Sequence, residues 1–467
     1  MEKSRIILLI VVALFIFSAL PFVLRHSIFW DEAVYIGIGK SIWSLGSSGI
    51  WEPIRPLGLP LLIGIFWKIG LPVIVSSQIL SLIFSASAII LSYFVAEALF
   101  NKFVAVISAV ILAVTPLFLF HSPEIMTEVP STVFAIAAVL FFIKKKYAFA
   151  GAFAGVAFLF KFPLALVVVA LALSLLFQQV ATKKLRLKHF LQLILPFIAA
   201  VLPYFLLNAA LYRENEILNA AFGPLLSASS HQYNPVHAVS GIAGNIFYYP
   251  AMFLMQNPLL AFSIAGLFFI VRKDFASRAV LALAPFTLFC YFALIINKQL
   301  RFGLAFLPFV AILSAYGIHC LLSSRKSPAV AMVILVIVGV TASLSAVAVM
   351  KTSLAYYSQL QQPNPELYEF YSYFSGRDEV QILTTTPIPT AFSDQKFIPM
   401  YDNPAEALRV YGNYSESASA AVYTSNFFPC EYYGAECEAE KQKLFASISK
   451  NRILKNLSNN YLIVSLS

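Results

Sequence analysis

SIFWDEAVYIGIGKSIWSLGSSGIWEPIRPLGLP, from Ser27 to Pro60, is the stretch on which the reading of this chain turns. It is polar and charged, yet one apolar run of spanning length precedes it and a series of others follows. Asp31 and Glu32 come directly after Phe29 and Trp30, and Arg55 with Pro56 opens the next apolar segment. Charge beside hydrocarbon is costly unless it has a partner, water or a functional task. The stretch therefore reads as a functional loop held at a membrane face.

Composition supports this reading. Of 467 residues, 60% are hydrophobic and 12% charged, with 43 phenylalanines. Repeated bilayer spans need that much apolar surface and soluble domains do not. The net charge of +10 could point to nucleic acid, but the cations fall in short clusters between apolar runs, which is a topology signal. No nucleic-acid module is recognisable, and no nucleic-acid partner is expected.

Apolar segments run from Ile6 to Leu24, Val73 to Phe100, Phe103 to Phe120, Ser131 to Ile143, Tyr147 to Phe160, Pro163 to Phe177, Phe190 to Leu211, Ala251 to Val271, Ala279 to Ile296, Phe302 to Leu322 and Pro328 to Val349. They predict an α-helical polytopic membrane protein of about eleven transmembrane helices. The first run follows Lys3 and Arg5 and lacks a small-residue cleavage site before Trp30, so it reads as an uncleaved helix rather than a signal peptide.

The basic clusters at Lys3 and Arg5, Lys102, Lys144 to Lys146, Lys183 to Lys188, Arg272 to Arg278, and Arg325 with Lys326 all fall on one side of this count. By the positive-inside rule that side is cytoplasmic. The expectation is an integral protein of the cell (plasma) membrane, with a cytoplasmic N-terminus and an extracytoplasmic C-terminus. Cations left on the outer side then stand out: Arg25, Arg55, Lys68, Lys161, Arg213, Lys298, Arg301 and Lys351. They are candidates for a site, with snorkelling at a helix end as the alternative for each.

The first outer loop holds Val34, Ile38, Ile42 and Leu45 at helical spacing, with Lys40, Ser41 and Ser44 off that stripe, which predicts a helix lying in the interface. A second such helix is expected from Leu57 to Ile69, started by Pro56. In the second outer loop, HSPEIMTEVPS from His121 to Ser131, Glu124 and Glu128 are four apart and would share a face of a helix. The alternative is that Thr127 and Glu128 cap the next helix, and His121 reads as an interfacial residue. The segment from Tyr212 to Pro250 contains His231, Tyr233, Asn234 and His237, too dispersed for a metal site. It reads as a loop over the mouth of the site, able to order on binding.

After Val349 the composition becomes ordinary. Residues 1–349 are therefore assigned to a transmembrane domain, with interfacial helices in the 25–72 loop, and 350–467 to a small extracytoplasmic α/β domain. Strands are expected at Val380 to Thr385, Ala418 to Thr424 and Tyr461 to Leu466, and helices at Pro404 to Tyr411, capped by Asn403, and Cys437 to Lys450. Cys430 and Cys437 are near enough to bridge on an oxidising side, while Cys290 and Cys320 lie in apolar runs. Asn413-Tyr-Ser415 and Asn456-Leu-Ser458 are sequons, a weak signal.

The order RPLGLPLLIGIFWKIG, ALFNKFVAVISAVILAVTPLFLF, HSPEIMTEVPS, KKK and FLFKFP resembles the polytopic GT-C glycosyltransferases. The nearest group is that of the protein O-mannosyltransferases and the bacterial aminoarabinose transferase of lipid A. The resemblance covers Trp30 to Pro163 well, the later helices loosely and the C-terminal domain not at all. It implies a sugar donor on a polyprenyl (dolichyl or undecaprenyl) phosphate and a catalytic acid/base at Asp31 of WDE. It also implies that Glu128 of TEVP stands at the second-loop acidic position, usually Asp in a Thr-Asp pair. Leu57 departs from the second proline of an Arg-Pro-Pro motif.

The chemistry of such a transfer asks for the same residue types. A carboxylate takes the acceptor hydroxyl proton, and cations stabilise the departing phosphate. Asp31, Glu32 and Glu128 are the candidate catalytic carboxylates, with Asp31 as base. Arg55, Lys161, Arg301, Glu124, Tyr35 and His231 are the candidate substrate-binding residues. Lys161, between two short apolar segments, would gain a partner in a lipid phosphate. Attack assisted by one carboxylate predicts inversion at the anomeric carbon. No metal or other cofactor is required on this reading, although Asp31, Glu124 and Glu128 could hold a divalent cation through oxygen. The expected partners are a lipid-linked sugar donor, membrane lipid, and a protein, glycolipid or glycan acceptor. The competing class is a transporter or flippase for lipid-linked glycans with an outer sensor domain, but no internal repeat supports it.

Overall fold

The computed structural model describes residues 2–23, 28–52, 55–212, 241–295, 298–323, 333, 336–341, 343–345, 347–351, 355, 365–377, 381–401, 403–425, 430, 434–458 and 460–466. It is mostly helical, with a small sheet near the C-terminus. By contacts the chain divides into two compact units, one of residues 1–24 and 79–357 and the other of residues 25–78 and 358–467. The division thus differs from a single boundary near 349, because residues 25–78 group with the C-terminal residues.

In the first unit, the helices α1 (Lys3–Val23), α4 (Val73–Leu99, whose first turns belong to the second unit), α5 (Lys102–Ala113), α6 (Pro116–Phe120), α7 (Glu128–Ile143), α8 (Tyr147–Phe160), α9 (Leu166–Ala181) and α10 (Leu187–Tyr212) follow the apolar runs. Helices Gly241–Gln256, Phe262–Lys273, Phe275–Leu294 and Leu307–Ser323 follow them. Among the described residues, five helices are long and apolar enough to cross a membrane: Lys3–Val23, Val73–Leu99, Phe162–Ala181 (α9 with a preceding 3-10 turn), Leu187–Leu207 and Phe275–Leu294. The others are shorter, so individual runs are more broken than their hydropathy implies. Phe103 to Phe120 divides before Pro116. Ala251 to Val271 is not one span either, since Pro258 ends the helix that stops at Gln256 and opens a 3-10 turn. Proline lacks the N–H that would continue the ladder. There Asn257 caps the turn, its side chain accepting from Leu259 N at 3.1 Å and donating to Thr115 Oγ1 at 3.0 Å.

Packing in this unit rests on close backbone approach as well as on side chains. A Cβ at Gly266 would lie 2.0 Å from the Leu313 carbonyl oxygen, so helices Phe262–Lys273 and Leu307–Ser323 touch where only glycine fits. Such small-residue crossings let helices associate where apolar burial alone gives no preference between neighbour and lipid.

The second unit begins with α2 (Trp30–Trp43) and α3 (Gly58–Lys68), close to the two expected interfacial helices. They cross at Gly39 and Gly64, where a Cβ on Gly64 would meet the Gly39 carbonyl oxygen at 2.5 Å. The one-sided pattern expected of α2 is not found. Residues Glu32 to Ser41 are all buried, Lys40 included, whereas Leu45 of the predicted apolar stripe is 96% exposed. A surface helix would show an apolar face and a wet one, so α2 is packed on both sides.

What packs against it comes in part from the C-terminal residues. There a five-stranded sheet has the order β2-β1-β3-β5-β4, built from β1 (Gln381–Thr384), β2 (Lys396–Pro399), β3 (Ala420–Thr424), β4 (Ile453–Ser458) and β5 (Tyr461–Ser465). β1 pairs in parallel with β2 and β3, and β5 pairs antiparallel with β3 and β4. Helices Pro404–Tyr414 and Gly434–Ser449 complete an α/β layer. Asn403 caps the first as expected, accepting from Glu406 N at 2.8 Å, and Cys430 and Cys437 form a disulfide. The first loop extends this sheet. Gly49 N donates to Gln395 O and Phe397 N to Gly49 O, each at 2.8 Å, so Gly49 adds a one-residue bridge to the β2 edge. Gly49 needs to be glycine, with φ +77° and its would-be Cβ 2.1 Å from the Gly37 oxygen.

Candidate active-site residues

In the second unit the WDE motif opens α2. Asp31 and Glu32 lie in its first turn, where negative charge complements the helix dipole. The two carboxylates then do different things. Glu32 turns back and its Oε2 accepts from Phe29 N at 2.8 Å, so it secures the start of the helix. Asp31 Oδ1 instead meets Arg55 Nη1 at 3.0 Å. Arg55 also donates from Nε to Glu52 Oε2 at 2.8 Å and lies over the Tyr35 ring, 5.8 Å from its centroid. The guanidinium is thus shared by two carboxylates and faced by an aromatic ring. Burial opposes its charge, but Asp31, then Glu52 and Tyr35, outweigh that and hold Arg55 well above its usual range. An opposite charge at this distance favours the ionised form of the acid as well, which is the state a general base needs.

Glu52 was not marked by the sequence reading. The signal available was its spacing, three residues before Arg55 in WEPIRP. Its other oxygen accepts from the hydroxyl of Tyr401, and the Tyr401 ring packs edge-on against Trp30 with centroids 4.6 Å apart. Nothing local in the sequence announces Tyr401, which stands 349 positions from Glu52.

In the first unit a second group of charges gathers at Glu128, the first residue of α7. Lys161 Nζ donates to Glu128 Oε1 at 2.9 Å, and Arg301 Nε lies 3.6 Å from the same oxygen. Lys161 sits where α8 ends and a 3-10 turn begins. Arg301 comes from the 3-10 turn Leu300–Ala305, which precedes the Leu307–Ser323 helix. Phe302 of that turn lies under the ammonium of Lys161, 4.7 Å from its centroid, and Arg301 Nη1 reaches Met126 Sδ at 3.0 Å. The side chains are nearly enclosed, Glu128 4% and Lys161 13% exposed. Lys161, expected to need a lipid phosphate as partner, therefore has a carboxylate.

Glu124 does not share a helix face with Glu128, because α7 starts only at Glu128 and Glu124 lies in the turn before it. Pro130 does not interrupt the helix but lies in its first turn, where a missing N–H costs little, and the residues after Pro123 form turns. Glu124 Oε2 is 2.5 Å from His121 Nδ1, so His121 has a specific carboxylate partner. Thr127 occupies the cap position without a side-chain capping bond. His231 and its neighbours in the 213–240 segment lie outside the described residues. Among the described residues, no three metal-binding side chains of the His, Cys, Asp or Glu type come together.

Comparison with known proteins places this architecture. Residues 54–206 match the family model described as Dolichyl-phosphate-mannose-protein mannosyltransferase. No curated protein matches the sequence. Among solved structures, ArnT from Cupriavidus metallidurans bound to undecaprenyl phosphate superposes with a TM-score of 0.64 at 13% identity, over 99% of this chain and 98% of that one. The oligosaccharyltransferase AglB from Archaeoglobus fulgidus, in complex with an inhibitory peptide and a dolichol-phosphate, gives 0.58 at 14% identity, over 94% of this chain and 72% of that one. The arabinofuranosyltransferase AftD from Mycobacteria gives 0.53 at 12% identity, over 100% of this chain and 40% of that one. An integral membrane protein with the GT-C glycosyltransferase fold, similar to the protein O-mannosyltransferase and aminoarabinose transferase group, is what these helices and matches describe.

Proposed function

We propose that the chain is an inverting glycosyltransferase that moves a hexosyl or pentosyl unit from a polyprenyl (dolichyl or undecaprenyl) phosphate to an acceptor hydroxyl on the extracytoplasmic side of the membrane. The observation that carries this reading is the convergence of Lys161 and Arg301 on Glu128 at the ends of apolar helices. Lys161, bonded to Glu128, and Arg301, whose Nε donates to Gln299 Oε1 at 2.6 Å, bring two fixed cations near one carboxylate, and in a water-poor setting such fixed charges stabilise a developing anion strongly. The family match to a dolichyl-phosphate-mannose enzyme and the structural likeness to proteins solved with undecaprenyl phosphate or dolichol-phosphate support the same donor class.

In the reaction, the acceptor oxygen forms a bond to the anomeric carbon while the bond from that carbon to the phosphate oxygen breaks. The acceptor proton passes to the carboxylate of Asp31, and the polyprenyl phosphate leaves with the electron pair. Arg55 fixes one oxygen of Asp31, and its charge favours the ionised carboxylate. Lys161 and Arg301 take the role of phosphate partners, with Glu128 holding them in place. The basic clusters assign the N-terminus to the cytoplasm, and the Cys430–Cys437 disulfide suits an oxidising, extracytoplasmic setting for the C-terminal residues.

The test is transfer from a defined polyprenyl-phosphate sugar in membranes that contain the full chain, followed by determination of the anomeric configuration of donor and product. Transfer with inversion is expected. Retention would overturn the single-displacement mechanism, and absence of transfer from every polyprenyl-phosphate donor supplied would overturn the function.

A further inference from the structure

The ion pair at Asp31 is not held by the first loop alone. Arg55 is shared between Asp31 and Glu52, and how that sharing is balanced depends on what else Glu52 binds. Its second oxygen accepts the Tyr401 hydroxyl, from the end of the segment that follows β2. The Tyr401 ring meets Trp30, the residue just before Asp31. The same C-terminal stretch grips α2 at two further points. Thr390 Oγ1 donates to Ala33 O at 3.0 Å, and Lys40 Nζ donates to Ser393 O at 2.8 Å and pairs with Asp394 at 2.9 Å. Asp394 in turn accepts from Trp67 Nε1 of α3 at 2.9 Å. The residues from 390 to 401 thus hold both helices of the first loop and reach the ion pair itself.

From this geometry we infer that Tyr401 and Glu52 are positioning residues for Asp31: the Tyr401 hydroxyl occupies one oxygen of Glu52 and thereby sets how far Glu52 draws Arg55 away from Asp31. The inference rests on the reading of Asp31 as the base, and it gives the C-terminal residues a part in forming that base, beyond any choice of acceptor.

The sign of the effect follows from the charges. Without the Tyr401 hydroxyl, Glu52 has a carboxylate oxygen to satisfy and takes more of Arg55, so Asp31 loses stabilisation of its ionised form. With Glu52 made neutral, Arg55 is left to Asp31 and a neighbouring negative charge disappears, so Asp31 ionises more readily. The two substitutions act on one network and must move Asp31 in opposite directions. Among the described residues of this unit, Arg55 pairs with Asp31, Glu52 pairs with Arg55, Tyr401 donates to Glu52, and Glu32 and Tyr35 stand on the helix of Asp31 itself.

The experiment uses the full chain in membranes and measures, by mass spectrometry, the pH midpoint for labelling of Asp31 by a water-soluble carbodiimide, which reacts with the protonated carboxyl. For Tyr401→Phe, which keeps the ring against Trp30, the midpoint should rise, and for Glu52→Gln it should fall, each by about half a pH unit. In the transfer assay Tyr401→Phe should lower kcat about tenfold, and the acid limb of its pH profile should move with the labelling midpoint. A purely structural role would lower activity without opposite shifts. Unchanged midpoints, or midpoints that move the same way, would overturn the inference while wild-type transfer keeps the functional reading intact. Conversely, opposite shifts in a chain that transfers no sugar would uphold the network and overturn that reading.

Discussion

Two groups of charges in this molecule are built on opposite terms. At Asp31 an arginine is shared by two carboxylates and a tyrosine hydroxyl donates to one of them, with the Asp31 and Arg55 side chains 20% and 23% exposed. At Glu128 one carboxylate faces a lysine and an arginine, and its side chain is 4% exposed. Water reaches the first group and can replace a lost partner in part. It reaches the second far less, and there each ion depends on the other. The first arrangement suits a carboxylate that must gain and lose a proton. The second suits cations that must stay charged and fixed while an anion comes and goes.

The comparison breaks most sharply through stability. Glu128→Ala would leave Lys161 enclosed without its carboxylate, a change that costs about 3 to 5 kcal/mol when the pair is buried. A large drop in the unfolding temperature in detergent is the expected result, and Lys161→Met in the same chain should restore much of it, since a neutral pair removes the stranded charge. If Glu128→Ala unfolds no more easily than the wild type, the group is not enclosed as described.

Arg55→Ala is expected to behave differently. Because Asp31 and Arg55 are partly wet, the loss of Arg55 should cost less than the loss at Glu128, yet it should reduce sugar transfer strongly, since Asp31 loses the cation that fixes it. A small thermal shift with a large loss of activity sharpens the contrast. Equal thermal shifts for Arg55→Ala and Glu128→Ala would erase it.

The smallest effect concerns the clamp on α2. Burial pushes the pKa of the Asp394 carboxyl up, but Lys40 and Trp67 more than reverse this and hold it below its usual value of 3.8. Burial pulls Lys40 down from 10.5, and Asp394 only partly offsets that. An acid strengthened by folding contributes stability that is fully present above 3.8 and is lost as pH falls through the lower folded value. Unfolding temperature should therefore decline slightly below that pH, and Asp394→Asn should remove this part of the decline. An unchanged acid response in Asp394→Asn would mean that the pair does not couple to folding.

Much of the framework was legible because hydropathy acts locally. The runs at α1, α4 and α10 became helices of nearly the expected length, and WDE opened a helix in the first loop. The interruptions were harder to read, since the proline at 258 lies inside a run whose composition alone permits one span. β2 and β4 were missed for a related reason. Lys396–Pro399 is four residues long and ends in proline, and Ile453–Ser458 is an edge strand with Lys455 and Asn456 in its middle, whereas strand signals rest on regular β-branched alternation. Of the candidate site, Asp31, Arg55, Lys161 and Arg301 could be named because charge at an apolar boundary is anomalous wherever it occurs. Who partners whom could not. The bonds from Lys40 to Ser393 and from Glu52 to Tyr401 join residues 353 and 349 positions apart, and only the folded chain brings them together.

The central claim, that Asp31 is the base of a lipid-linked sugar transfer, is tested most directly by comparing wild type and Asp31→Asn. Both are supplied with a radiolabelled polyprenyl-phosphate sugar in membranes that contain equal amounts of folded protein. The account predicts labelled product from the wild type and a loss of about a hundredfold or more in the variant, the share a positioned general base contributes. Equal labelling by the two proteins would contradict it.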